Sequence, residues 1–489
     1  MSAETAGALA RRIARTLELD RAARAIEYED AWWTWGQVAD VANAVAAAVP
    51  GPGAPLGVVL RNSPWHVGVL LGVLLADACA VTINPSLGPE RLRTEIGELA
   101  LAGLAGTEAD LDAIGADFGV RLTPAAIPAA PPAVPPGAVP RPGVAVRMLT
   151  SGTTGPPQRV DLGADTLLRT FEGAKHYESR RSREPALRGG VAIVSAPLIH
   201  VGGLFRVLQC VLDGRSFVLL PRFEVAAWAA AVRRYRPKTA SLVPAALRMV
   251  LDSDLTRDDL SSLLSVVSGT APLDVADQDA FTERFGVPVL RSYGATEFGG
   301  GVAGWNLADH REFAAAKRGS VGRAHAGCGL RVIDPDGAEL PAGEVGVLEV
   351  RPAQHGAGAD WMRTADLARI DSDGFLYIVG RADQTIVRGG FKIHPEHVKS
   401  VLERHPAVSA AAVLGVPDAR LGAVPVAVVE PRPGHALDHE TLLAHAGGEL
   451  ARYELPARVR FVASLPRTPS GKVDLAAARA LAEPGEGTG

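Results

Sequence analysis

The chain has 489 residues, too many for one compact core, so several domains are expected. Its composition is globular, 47% hydrophobic and 21% charged, which excludes a disordered or fibrous chain. The net charge of −4 comes from 50 basic against 54 acidic residues, and no basic stripe stands out, so nothing points to nucleic acid as a partner. The first twenty residues lack an apolar signal core and read as a short amphipathic helix. Trp35 to Val49 is helix-like, and Leu56 to Leu60 is a β-rich run ended by Asn62-Ser63-Pro64. The greasiest stretch, Val67 to Ile83, contains Asp77 and is too short to cross a bilayer. It reads as a buried helix running into a buried strand, Ala80 to Ile83, stopped by Asn84-Pro85. No membrane span is expected. This strand–helix alternation predicts an α/β domain with parallel sheet.

Residues 121–143 break the pattern, with eight prolines between Pro124 and Pro142. They predict an extended, semi-rigid connector, which either separates domains or only leads into the next strand. Alternation resumes from 144 to about 320. From about 319 to 380 come short strands with turn signals: Asp334-Pro335-Asp336-Gly337, Pro341-Ala342-Gly343 and Asp371-Ser372-Asp373-Gly374. These predict hairpins and a β-rich subdomain. After Arg381 follow roughly 100 residues of mixed α+β pattern and a Gly-rich tail. The three cysteines, Cys79, Cys210 and Cys328, are far apart and match no metal-ligand spacing. A disulfide framework is therefore not expected, and a reducing, cytoplasmic location is.

Four motifs carry chemistry. An apolar strand (Val144 to Leu149) runs into Thr150, Ser151, Gly152, Thr153, Thr154 and Gly155, followed by Gln158. Small hydroxyls and glycines let backbone N–H groups cradle phosphate, although such a loop alone is often only a loop. It is not a P-loop, because no Gly-Lys-Ser/Thr follows. The second motif is Ser292-Tyr293-Gly294-Ala295-Thr296-Glu297 after the apolar run Val287 to Leu290. A hydroxyl beside a carboxylate at a strand end can hold a phosphate oxygen and its Mg2+, and an aromatic nearby can stack on a base. The third is Thr364-Ala365-Asp366-Leu367 followed by Gly380-Arg381-Ala382-Asp383, a carboxylate able to take two ribose hydroxyls with an arginine behind it. The fourth is Pro469-Ser470-Gly471-Lys472, which alone reads as a solvated lysine on a turn.

Taken in this order, together with Arg61-Asn62-Ser63-Pro64, Ala196 to Gly203 and Ser268 to Leu273, these motifs make the chain resemble the adenylate-forming superfamily: acyl-CoA synthetases, stand-alone adenylation domains and firefly luciferase. The resemblance covers nearly the whole chain. It implies an α/β fold, with a large N-terminal AMP-binding domain (1–381) of two α/β sheet subdomains plus the β-rich subdomain. A small mobile α+β domain (382–489) is expected to follow, hinged at Asp383.

The resemblance also implies roles. Thr150 to Gly155 would cover the ATP phosphates. Gly269, Thr270 and Ala271 would line the adenine, flanked by Ser292, Tyr293 and Gly294. Thr296 would bind the α-phosphate and Glu297 the Mg2+. Asp366 would hold the ribose with Arg381 nearby. His200 would gate the acyl pocket, with a satisfied core histidine as the alternative. Lys472 would reach the α-phosphate and the attacking carboxylate. Gly389, Gly390 and Phe391 would meet the pantetheine arm of coenzyme A. Family members usually carry Lys at the position of Gln158, Gly at Arg159 and at Ala365, and often a second acidic residue at Gln384.

The implied activity is ATP-dependent conversion of a carboxylic acid to acyl-AMP with release of pyrophosphate, then transfer to the thiol of coenzyme A. A carrier-protein phosphopantetheine or an amine as acceptor, or a degenerate nucleotide-binding protein, stay open. No acidic residue lies between Ala196 and Gly203 to pair with an α-ammonium group, so a fatty, aryl or similar acid without an α-amine is expected.

Overall fold

The computed structural model describes residues 7–115, 121–129, 137–149, 158–174, 186–389, 391–418, 420–468 and 472–482. The first α/β layer is a six-stranded sheet in the order Arg121–Leu122, Gly103–Ala105, Pro55–Val59, Cys79–Ile83, Val144–Leu149, Arg159–Gly163. All neighbours are parallel except the last pair. The strands Pro55–Val59 and Cys79–Ile83 are buried along their whole length, which explains their unbroken apolar sequence. The helix Pro64–Leu75 between them is buried on nearly all sides, capped by Ser63 with proline in its first turn. It packs on the helix Trp35–Ala48 so closely that a Cβ on Gly72 would sit 2.5 Å from the Ala42 carbonyl oxygen. The proline-rich connector runs between two strands of this one sheet, so it leads into a strand and does not separate domains.

Arg24–Tyr28, Ala31–Thr34, Arg188–Val194 and Arg215–Leu219 form a four-stranded sheet that shares the main core with these helices. A five-stranded sheet runs Thr239–Ser241, Ser265–Ser268, Val289–Ala295, Gly300–Gly304, Arg323–Ala324. Its first three strands are parallel and its last pairings antiparallel. Then comes an antiparallel meander of Gly329–Ile333, Gly346–Arg351, Met362–Ile370 and Leu376–Arg381, as the turn signals predict. The chain ends in a sheet built on the long antiparallel pair Val408–Asp418 and Gly422–Pro431, flanked by the helices Pro395–Glu403, His439–Gly447 and Leu475–Ala482. The α/β class holds, with an α+β unit at the C-terminal end. Among the described residues, no helix is long and apolar enough to cross a membrane.

Candidate active site

The strand Val289–Ala295 delivers Ser292, Tyr293 and Gly294 to one place. The turn after it, closed by the Gly299 N–H donating to the Thr296 carbonyl at 2.9 Å, presents Thr296 and the exposed Glu297. Tyr293 also has a partner within the protein. Its hydroxyl donates to the Asp366 carboxylate in the neighbouring meander. Burial, then the Asp366 charge, push the phenol above its ordinary value, so Tyr293 stays a donor. Asp366 lies 3.6 Å from Arg381, and Arg381 forks onto Asp383 at 2.9 and 2.7 Å. A single polar chain therefore joins the five-stranded sheet, the meander and Asp383.

The segment after strand Ser265–Ser268 lies against Ser292. A Cβ on Gly269 would meet the Ser292 hydroxyl oxygen at 2.4 Å. Thr270 has φ +70°, a left-handed conformation rare for a β-branched residue, and such strain concentrates at functional sites.

His200 is set up by Asn62. The buried Asn62 amide donates to the carbonyls of Ala196 (3.2 Å) and Leu220 (2.9 Å), and its oxygen accepts from the Leu198 N–H (2.8 Å). Two of these bonds pin the loop that ends at His200, the residue before the helix Val201–Leu212, and the third ties Asn62 to the end of the strand Arg215–Leu219. The Nε2 of His200 is buried and has no hydrogen-bond partner among the described residues. Burial, aided by the Lys472 charge, lowers His200 to about 4, so the ring is neutral at physiological pH. Gly202, in the next turn, faces the Thr270 methyl, which a Cβ there would meet at 3.5 Å.

Lys472 arrives from the C-terminal unit. Thr468 N–H and Oγ1 both donate to its carbonyl, at 2.7 and 3.2 Å, which fixes its backbone. Its half-buried amine lies within electrostatic reach of both the His200 ring and the Glu297 carboxylate. Burial pulls it below the usual lysine value, opposed by the Glu297 carboxylate. Contacts elsewhere hold the unit in this place. Arg248 donates to the Ser409 carbonyl at 2.8 Å and lies 3.8 Å from Glu403, and Ser400 donates to Asp274 at 2.9 Å.

Thr150 to Gly155 and Gly390 lie outside the described residues. Gly389 and Phe391 sit at the turn of the hairpin Ile386–Arg388/Phe391–Ile393, with Phe391 exposed and stacked on Tyr453. Among the described residues no hydrogen bond or ion pair joins them to Lys472. Gln158 is exposed beside Arg159, whose guanidinium is buried, paired with Glu95 and bonded to the Thr82 carbonyl at 3.0 Å. Arg159 is therefore a structural cation, not a substitute for a lysine at 158. Sequence reasoning missed the anchoring by Asn62 and the Tyr293–Asp366 bond. Asn62 stood in the Arg61-Asn62-Ser63-Pro64 motif, but nothing local to that motif shows which backbone groups its amide meets.

The chemistry of these donors suits a nucleotide and a hard cation. Thr296 and Glu297 offer oxygen ligands. Mg2+ takes one or two carboxylates and shares its shell with phosphates, a demand that the single Glu297 carboxylate beside Thr296 can meet.

Two family models match, an AMP-binding enzyme over residues 13–358 and an AMP-binding enzyme C-terminal domain over 397–472. The chain is 32% identical over 460 residues to a sulfoacetate–CoA ligase of Cupriavidus necator, covering 88% of this chain and 87% of that one. It is 33% identical over 347 residues to a 4-coumarate–CoA ligase-like protein of Oryza sativa subsp. japonica, covering 69% of this chain and 62%, under two thirds, of that relative's length. Its fold is similar to that of ATP-bound MatB from Rhodopseudomonas palustris, with a TM-score of 0.83 at 25% identity, covering 96% of this chain and 98% of that one.

Proposed function

The chain belongs to the AMP-binding enzyme family, and from that premise we propose that it is an AMP-forming acid–thiol ligase that makes an acyl-AMP and passes the acyl group to coenzyme A. The observation that carries this reading is the position of Lys472. A cation from the C-terminal unit lies within electrostatic reach of Glu297 and the neutral His200, which come from two other elements.

In the first step a carboxylate oxygen of the acid attacks the α-phosphorus of ATP, a P–O bond forms, and pyrophosphate leaves. Two anions must approach each other, so catalysis is mostly positioning and charge stabilisation. Lys472 supplies positive charge at the meeting oxygens. Asp366 holds the ribose hydroxyls, kept in place by Tyr293 and Arg381. The Gly269–Ala271 and Ser292–Gly294 segments flank the adenine, and Thr296 donates to the α-phosphate. A Mg2+ held by Glu297 would neutralise phosphate charge. His200, being neutral, does not hold the acid as a competing cation and lines the acyl pocket.

In the second step a thiolate attacks the acyl carbonyl, the C–O bond breaks, and AMP leaves with the carboxylate oxygen. This step has no need of Lys472. A C-terminal unit pivoting at Asp383 would withdraw the lysine and bring Gly389 to Phe391 to the pantetheine arm. Coenzyme A is favoured as acceptor over a carrier protein because relatives that align over most of their length with this chain are CoA ligases. The test is pyrophosphate release over a panel of carboxylic acids, with thioester detected by mass in the presence of coenzyme A or of a phosphopantetheinylated carrier. Acid-dependent pyrophosphate and an acyl-CoA product are expected. Thioester on the carrier alone would replace the acceptor, and no acid-dependent pyrophosphate would refute the reading.

A further inference from the structure

The helix Val201–Leu212 carries a group that the proposed reaction does not use. One side of it, with Gly203, Leu204, Val207, Leu208 and Val211, is packed in the core. The other side is only half-buried and presents Gly202, Phe205, Arg206 and Gln209, neighbours on one helical face. Two of these already border the site. Gly202 faces Thr270, and the Phe205 ring packs on Phe171 at 5.4 Å and lies 3.8 Å from where a Cβ on Gly300 would sit. Arg206 shares that face. Among the described residues its buried Nε has no hydrogen-bond partner, and one terminal nitrogen makes a single bond, to Gln209 Oε1 at 3.1 Å. No carboxylate pairs with it among the described residues.

A guanidinium is ionised at any working pH, and a half-buried charge with an idle donor is unfavourable unless an anion meets it. A wall built for a purely apolar acyl group would have an aliphatic residue here. We propose that Arg206 binds a second negatively charged group on the acid, so that the substrate is a short dianionic acid, a dicarboxylate or a sulfocarboxylate. This rests on the adenylate-forming reading above. Six residues of helix put the Arg206 backbone about 9 Å from that of His200, and long helical side chains lean back toward the N-terminus. The second anion therefore belongs a few bonds from the reacting carboxylate, not at the end of a long alkyl chain.

The experiment is pyrophosphate release by the full chain with malonate, succinate, glutarate and sulfoacetate, against acetate, propionate, butyrate, benzoate and the monomethyl ester of each diacid. At least one dianionic acid should exceed its monoanionic counterpart tenfold or more in kcat/KM. In Arg206→Gln that ratio should fall to within threefold, mainly through KM, while Arg206→Lys keeps part of it. Because a ratio is read, a partly destabilised variant remains informative, and the wild-type ratio decides even where a variant does not fold. Esters that match or exceed their diacids in the wild type, or a ratio that survives in Arg206→Gln, would overturn the assignment. Pyrophosphate release with no acid of either kind would overturn the adenylation reading itself.

Discussion

Replacing Asn62 with alanine tests how the site is held together. The side chain is buried and makes three hydrogen bonds to the backbone around Ala196, Leu198 and Leu220. Alanine leaves two carbonyls and one N–H without partners. An orphaned buried group costs about 1–3 kcal/mol, and partial relaxation keeps three from adding fully, so a loss of about 3 kcal/mol is expected. Over a domain of about 350 residues the unfolding entropy is near 0.7 kcal/mol per degree, so the melting temperature should drop by about 4 °C. The kinetic effect should be larger than this shift suggests, because the freed loop ends at His200. We expect at least a tenfold fall in kcat/KM for the acid, with KM for ATP changed less. Asn62→Asp should be no better, since a carboxylate oxygen would face two carbonyl oxygens where the amide donates. Scanning calorimetry with pyrophosphate-release kinetics makes the check. A melting temperature within 1 °C of wild type together with unchanged acid kinetics would refute the anchoring role.

Other expectations follow from the same geometry. Lys472→Ala should slow adenylation a hundredfold or more yet still convert supplied acyl-AMP to thioester, and equal loss in both half-reactions would make the lysine structural. Because burial lowers Lys472, its ammonium is lost at a lower pH than an ordinary lysine's; kcat/KM for adenylation should fall on the alkaline side below the usual lysine value, and Lys472→Ala should lack that limb. His200, near 4, should contribute no titration between pH 6 and 8. Asp383→Pro should spare adenylation and abolish thioester formation, with a modest rise in KM for ATP because Arg381 loses its two bonds to Asp383; both steps intact would mean that the C-terminal unit does not pivot there. Gln158→Lys should raise kcat/KM for ATP about fivefold, an effect shrinking at high salt, since a charged donor gains roughly 1 kcal/mol over a neutral one; with Arg159 committed to Glu95, an unchanged value would mean that some other cation serves the phosphates.

Much of this molecule was legible in its sequence, for identifiable reasons. Val67 to Ile83 read as buried helix then buried strand because strands covered on both faces need unbroken apolar runs, and both elements are there. The turns at Gly337, Gly343 and Gly374 marked the meander because glycine there takes positive φ, at 90°, 92° and 80°. The ordered motifs gave the family, because phosphate, ribose and metal each demand particular residue types. What stayed hidden was long-range. Tyr293 and Asp366 are 73 residues apart and meet only when the meander docks on the five-stranded sheet. Asn62 bonds to backbone more than 130 residues away. Arg206 was not singled out in the sequence, and its half-buried place on the face it shares with Gly202 and Phe205 depends on how the helix Val201–Leu212 packs. No local pattern encodes such pairings.

The most direct test of the central claim is the fate of a carboxylate oxygen. With an acid labelled with oxygen-18 in its carboxyl group, ATP and coenzyme A, the attack on the α-phosphorus predicts AMP carrying one labelled oxygen and unlabelled pyrophosphate. Unlabelled AMP, or label appearing in inorganic phosphate beside ADP, would contradict an acyl-AMP intermediate and with it the proposed roles of Lys472, Glu297 and Asp366.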